Sequence, residues 1–197
     1  MKNTRLKRQI EFIVEIDKLK NVYRQTFLIN GSRKENDAEH SWHLAMMAIL
    51  LSEYAEEKKI DILRIVKMVL IHDLVEIDAG DTYCYDVEKN KSKKEREKKA
   101  ANRLFRLLPR DQGKEYLRLW GEFERNETPE ACFAAALDRL QPLIHNYLTE
   151  GKSWIEHGVT SGQVIARNKH IKKGAPILWD YAEQIIRDSV NKGYLVK

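Results

Sequence analysis

His72, Asp73 and Glu76 interrupt a stretch in which Ile62, Ile65, Val66, Val69, Leu70 and Leu74 recur at helical spacing. On a helix, His72 and Glu76 stand four apart and Asp73 and Glu76 three apart, so all three project from one flank. Burying two carboxylates and an imidazole there costs on the order of several kcal/mol unless something neutralises them. A divalent cation does so directly, because it takes carboxylate oxygen and imidazole nitrogen together. Two more polar residues intrude on apolar sequence in the same way. His40 opens the run that continues through Leu44 to Leu51, and Asp138 sits inside Ala134-Ala135-Ala136-Leu137-Asp138-Arg139-Leu140. Two histidines and two aspartates make a mixed nitrogen and oxygen set suited to Mn, Co, Fe or Mg. Zinc would also fit, though no thiolate selects it.

The elements that must position these residues read as helices throughout. Leu6, Ile10, Ile13, Ile16 and Leu19 form one stripe and predict a first helix from about residue 5 to 26. Gly31 to Lys34 is a polar break. Asn36 then caps a second helix, with Glu39 three residues on completing a capping-box pattern, and that helix runs to about Lys58. Asp61 caps a third, which is apolar on most faces, central, and ended by Gly80. A charged helix follows, then a short one carrying Leu117, Trp120 and Phe123. Thr128-Pro129-Glu130 starts a helix to about Leu148 that Pro142 should kink. Two last helices, about 160 to 171 and 175 to 192, flank Gly174. No segment alternates at period two, so the fold class is all-α, one helical bundle spanning residues 1–197. Trp120, Trp154 and Trp179 read as core. Trp42 and His43 read as packing residues beside His40, and His145 shares a helical face with Asp138.

Composition excludes several classes. The chain has 197 residues, 43% hydrophobic and 33% charged, enough for one ordinary domain. Its longest apolar run, Leu44 to Leu51, is far short of the roughly 20 residues a membrane span needs. The N-terminus mixes Glu11, Glu15 and Asp17 into its apolar residues, unlike a signal peptide, so the expected location is cytoplasmic. Cys84 and Cys132 make neither a disulfide framework nor a zinc spacing. Of the net charge of +5, a local +3 lies between Asp86 and Lys99, a stretch with no aromatic residue. Alternating signs such as Glu95 and Lys99 suit a solvated helix better than a nucleic-acid surface. Neither nucleic acid nor membrane is an expected partner.

The order His40, His72-Asp73 and Asp138 resembles the signature of the HD-domain metal-dependent phosphohydrolases. Glu39-His40-Ser41, His72-Asp73-x-x-Glu76 and Gly80-Asp81 are similar to its 5′-deoxynucleotidase branch, over a stretch from about Leu19 to Tyr147. The resemblance implies a helical, dimeric enzyme that removes phosphate from (deoxy)nucleoside 5′-monophosphates. It implies that His40, His72, Asp73 and Asp138 hold the metal, that Glu76 transfers the proton, and that Asp81 lines the substrate site. Leu19-Lys20-x-x-x-Arg24 resembles the segment carrying the branch's phosphate-orienting arginine. Where the family has a tryptophan beside that arginine, Phe27 is the nearest candidate here. Thr82-Tyr83-Cys84 takes the place of a proline-containing run. Both departures fall where the nucleoside would be read. A phosphodiesterase or nucleoside triphosphate phosphohydrolase would share the ligands but need more basic residues around the pocket. A non-catalytic nucleotide-binding module would share them without needing Glu76.

Overall fold

The computed structural model describes residues 4–197. α1 (Thr4–Ile16) passes into a 3-10 turn (Asp17–Asn21), and the chain then becomes extended. The single helix expected to about residue 26 is therefore cut short. Tyr23, Thr26 and Phe27 are the aromatic and β-branched types that favour a pleated strand. They lie in β1 (Tyr23–Phe27), which pairs antiparallel with β2 (Lys34–Asn36), Tyr23 opposite Asn36 and Phe27 opposite Lys34. Asn30-Gly31, with Gly31 at φ 68°, lies in the connecting loop, and such a pair between apolar stretches is itself a turn signal. On α1 only Phe12 is buried, while Ile10, Ile13 and Val14 remain exposed.

Asn36 caps α2 (Asp37–Leu50) as expected. Its side chain accepts from the Glu39 amide at 2.9 Å, and the Glu39 carboxylate accepts from the Asn36 amide at 3.1 Å. The helix ends earlier than Lys58, in a 3-10 turn (Ser52–Tyr54). Asp61 caps α3 (Ile62–Ile71), accepting from the Arg64 amide at 2.9 Å. Instead of continuing to Gly80, α3 tightens into a 3-10 turn (His72–Val75). The short α4 (Glu76–Ala79) follows and ends at Gly80 with φ 73°. Such a tightening inside a helix often marks a functional position, and this one begins at His72.

Asp86 caps α5 (Val87–Phe105), α6 (Arg110–Arg125) follows, and Thr128 caps α7 (Pro129–Leu148). α7 remains one helical element across Pro142. The tail, expected as two helices, forms four: α8 (Lys152–His157), α9 (Ser161–Asn168), α10 (Ile171–Gly174) and α11 (Pro176–Asn191). Among the described residues no helix is long and apolar enough to cross a membrane.

Two apolar cores meet along α3. Ile65 and Val69 join Leu44, Phe133, Leu137, Leu140, Ile171 and Trp179 in one. Met68 and Ile71 join Phe12, Phe105, Leu119 and Trp120 in the other. His72 thus sits at the end of the helix that both cores hold. Trp120, Trp154 and Trp179 are buried as expected, whereas Trp42 is exposed. α10 lies so close to α7 that a Cβ on Gly174 would stand 2.2 Å from the Cys132 carbonyl oxygen. Gly174→Ala is expected to lower stability by about 1–3 kcal/mol. A reduced urea midpoint with unchanged slope would report it, and an unchanged midpoint would contradict the close packing.

Candidate metal centre

Three helical segments and the β1–β2 hairpin converge on one point. His40 comes from the first turn of α2, His72 and Asp73 from the 3-10 turn after α3, and Asp138 from the middle of α7. Both histidines present Nε2 to the two carboxylates. His40 Nε2 lies 3.0 Å from Asp138 Oδ1 and 3.9 Å from Asp73 Oδ2. His72 Nε2 lies 3.1 Å from Asp73 Oδ2 and 3.6 Å from Asp138 Oδ1. Adjacent ligands on a small octahedral cation stand about 3 Å apart, so the spacing suits one ion.

The hydrogen bonds behind the histidines test that fit. The Val69 carbonyl, 2.9 Å from His72 Nδ1, can only accept. Nδ1 therefore carries the hydrogen, and buried Nε2 has no hydrogen-bond partner. Behind His40, Gln141 Oε1 lies 3.1 Å from Nδ1, while Gln141 Nε2 donates to Glu35 Oε1 at 2.7 Å. Glu35 fixes the amide's orientation, so His40 donates through Nδ1. Its Nε2 lone pair is left facing the carboxylate of Asp138. Two such atoms at 3.0 Å need a positive charge between them, and a divalent cation can supply it as a proton can.

Charge balance points the same way. Burial disfavours the His40 imidazolium and, with the nearby Arg24 cation, holds it down to about 4, so His40 is neutral as a ligand must be. Burial also works against charge on His72, but Asp73 and Asp138 outweigh it and raise it to about 10. The donor set fits a metal.

Around this set lie groups the sequence did not single out. Glu35 on β2 and Asp37 at the start of α2 are buried, and burial pushes each up to about 7. Asp37 stands three residues before His40 on the same helical face, a spacing that could have revealed it. Glu35 carries no such signal, because its partner Gln141 is distant in sequence. Gln141 is three residues beyond Asp138, and its amide nitrogen also lies 3.1 Å from His145 Nε2. His145 in turn donates from Nδ1 to the Phe27 carbonyl at 3.0 Å. A continuous chain of hydrogen bonds therefore runs from β1 to His40. Gln141→Leu is expected to weaken metal affinity about 10- to 100-fold. Titration of the metal-free protein with Co²⁺ would measure it, and an unchanged affinity would contradict this role.

Glu76 is buried beside the centre, with a carboxylate oxygen within 4.8 Å of oxygens from Asp37 and Asp73. Burial, then the charges of Asp73, Asp37 and Asp81, raise its carboxyl well above the ordinary range. Lys93, on the inner face of α5, approaches it at 3.7 Å and Glu97 at 3.3 Å. α5 is therefore more than a solvated helix: its outer residues pair with each other, as Lys99 and Glu95 do at 2.7 Å, while its inner face closes the site.

Arg24 stands on β1, not on the expected helix. Its Nη1 donates to Asp73 Oδ2 at 2.8 Å and Asp37 Oδ1 at 3.2 Å. A cavity of about 1020 Å³ opens from the centre, lined by Arg24, His72, Asp73, Glu76, Asp81 and Asp138 among others. Thr82, Tyr83 and Cys84 line it as well, with the Tyr83 ring 4.4 Å from that of His157. Phe27 lies outside the lining; its ring packs under the Lys152 ammonium at 4.0 Å, and Gln25 and Thr26 face the cavity from β1 instead.

The chain is 30% identical to the 5′-deoxynucleotidase HDDC2 of Homo sapiens over 68% of its length and 65% of the relative's. It is 31% identical to the 5′-deoxynucleotidase HDDC2 of Dictyostelium discoideum, over 70% of the chain and 75% of the relative. The match thus spans slightly under two thirds of the human protein. A crystal structure of a predicted metal-dependent phosphohydrolase from Magnetospirillum magnetotacticum MS-1 is 54% identical, with TM-score 0.95, covering 98% of this chain and 97% of that one. The family profile described as HD domain matches residues 16–179, a span that holds every residue of the cluster. By its histidine–aspartate cluster, its helical frame and that match, the chain belongs to the HD-domain family.

Proposed function

We propose that the protein hydrolyses (deoxy)nucleoside 5′-monophosphates to the nucleoside and inorganic phosphate, with one divalent cation held by His40, His72, Asp73 and Asp138. The observation that carries this reading is the juxtaposition of that donor set with a buried carboxyl, Glu76, and a half-buried cation, Arg24, all along one cavity. The names of the relatives, 5′-deoxynucleotidases, support the substrate class.

Phosphate monoesters hydrolyse very slowly unaided, so the site must lower a large barrier. A divalent cation at the centre supplies Lewis acidity and a nucleophile available at neutral pH. Arg24 orients the phosphate by charge-assisted hydrogen bonds and offsets charge on its oxygens. Burial works against charge on Arg24, but Asp73, Asp37, Asp138 and Asp81 outweigh it and keep the guanidinium charged. Glu76, with its raised affinity for a proton, takes one from the attacking water and returns one to the leaving oxygen. Asp81, Thr82, Tyr83 and Cys84 face the nucleoside. The same donor set accepts Mn, Co, Fe, Mg or Zn.

Arg24→Ala is expected to reduce kcat/KM on a deoxynucleoside monophosphate about 10- to 100-fold, the worth of a charge-assisted contact of about 1.5–3 kcal/mol. Metal content should be kept, as measured by elemental analysis. Wild-type turnover in this variant would remove Arg24 from the substrate site.

The same reading takes the protein as a cytoplasmic homodimer. Free Cys84 and Cys132 suit a reducing compartment. Trp42, Met46, Ile49 and Leu50 on α2 are exposed beside exposed Leu63 and Leu70 on α3, and an apolar strip of this kind suits a self-complementary interface. Light scattering is expected to give twice the chain mass, falling to the chain mass in Ile49→Lys. A monomeric wild type would contradict the dimer.

A further inference from the structure

Asn90, Lys93, Arg96 and Glu97 recur three and four residues apart on α5 and so share one face of that helix. The face is pinned to the segment that follows α4. Asn90 Nδ2 donates to the Tyr83 carbonyl at 3.1 Å, and Arg96 Nη2 donates to Thr82 Oγ1 at 2.8 Å. Further along α5, Ala100, Ala101 and Phe105 are buried in the core that also holds Leu74 and Val75. Lys93 lies between the two polar anchors. Its backbone is therefore fixed relative to the turn that carries Asp73 and to Glu76 beyond it.

The Lys93 ammonium lies 3.3 Å from Glu97 Oε1 and 3.7 Å from Glu76 Oε1. Both carboxylates are buried, and Glu76 Oε2 has no hydrogen-bond partner. Glu76 also stands among like charges, with a carboxylate oxygen within 4.8 Å of oxygens of Asp37 and Asp73. A buried carboxylate so placed keeps its position only if a cation holds it. Arg24 donates to Asp73 and Asp37. Among the described residues, Lys93 is the cation that reaches Glu76. Burial works against charge on Lys93, but Glu76 and Glu97 outweigh it and keep the ammonium charged.

We propose that Lys93, braced by Glu97, is a positioning residue whose ammonium offsets the repulsion of Asp37 and Asp73 and fixes the Glu76 carboxylate where it exchanges the proton of the reaction. What Glu76 does rests on the phosphohydrolase reading; what holds it rests on the distances above. An ammonium is a compact point charge on a flexible stem, so Lys93 alone would wander. Glu97, one turn on, supplies the restraint. Proton transfer is sensitive to placement, and a shift of about 1 Å can cost about 100-fold in rate.

The test compares wild type with Lys93→Met, Lys93→Arg and the double variant Lys93→Met/Glu97→Gln. Each is assayed for hydrolysis of a deoxynucleoside 5′-monophosphate at saturating metal, and each is crystallised. Lys93→Met is expected to lower kcat about 10- to 100-fold with KM within about twofold, and Lys93→Arg to recover part of the loss. The double variant removes the buried charge that Lys93→Met leaves unpaired, so it should fold even where the single variant does not, and show the same loss. In the Glu76→Gln background, Lys93→Met should change the residual rate by less than about twofold, because a residue acting through Glu76 has nothing left to place. In the crystals, the Glu76 side chain should leave its place in Lys93→Met and keep it in Lys93→Arg. Unchanged kcat, wild-type kcat in the double variant, or an undisplaced Glu76 overturns the proposal. So does an equal loss in the Glu76→Gln background, or a loss carried by KM, which would make Lys93 a phosphate contact instead. Wild type that hydrolyses the monophosphate with a kcat indifferent to Lys93 loses the positioning alone. Wild type that hydrolyses nothing, while Glu76 still moves in Lys93→Met, loses the phosphohydrolase reading alone.

Discussion

Glu76→Gln is expected to lower turnover about 100- to 10,000-fold, the range for removing a general acid or base, while metal and nucleotide still bind. Glu76 is buried, is not among the four nearest donors, and holds a proton more tightly than an ordinary carboxyl because burial and three aspartates oppose its charge. Glutamine preserves its shape and hydrogen-bonding reach but neither takes nor gives the proton. Metal analysis and phosphate release from a deoxynucleoside monophosphate, on one preparation, separate the outcomes. Full metal with near-normal turnover would reduce Glu76 to a structural partner of Lys93, 3.7 Å away.

Asp138→Ala and His72→Ala are expected to do the opposite, losing the metal first and turnover with it. Each removes a donor that faces both members of the other ligand type. Removal of Asp138 leaves buried His40 Nε2 and His72 Nε2 without their closest shared carboxylate. Metal affinity should fall by more than the 10- to 100-fold typical of groups that only orient a ligand. The fold should persist, since neither Asp138 nor His72 supplies apolar packing to either core. Undiminished metal stoichiometry in either variant would sink the assignment.

Local signals read correctly were those with short-range physics. Asn36 with Glu39, Asp61 and Thr128 cap helices through the amide three residues on, so spacing alone located those starts. The His40, His72-Asp73 and Asp138 set was legible because polar residues on apolar faces need a common explanation. What escaped was set by distant partners. β1 is held by β2 across a loop, and periodicity continuing from Leu6 to Leu19 masked the change of backbone at Val22. The tightening at His72 keeps nearly the same sequence spacing as an α-helix, so no pattern betrayed it. Gln141 looked like an ordinary polar residue of α7, and only the fold brings Glu35 and His40 to its two ends.

The most direct test of the central claim is phosphate release from a panel of nucleoside 5′-monophosphates by the chelator-treated protein, with Mn²⁺, Co²⁺, Mg²⁺ or Zn²⁺ restored singly. The account predicts no release without metal, release restored by at least one of these ions, and loss of that restoration in Asp138→Ala. Release that persists after chelation, or no release with any ion and any monophosphate, would contradict it.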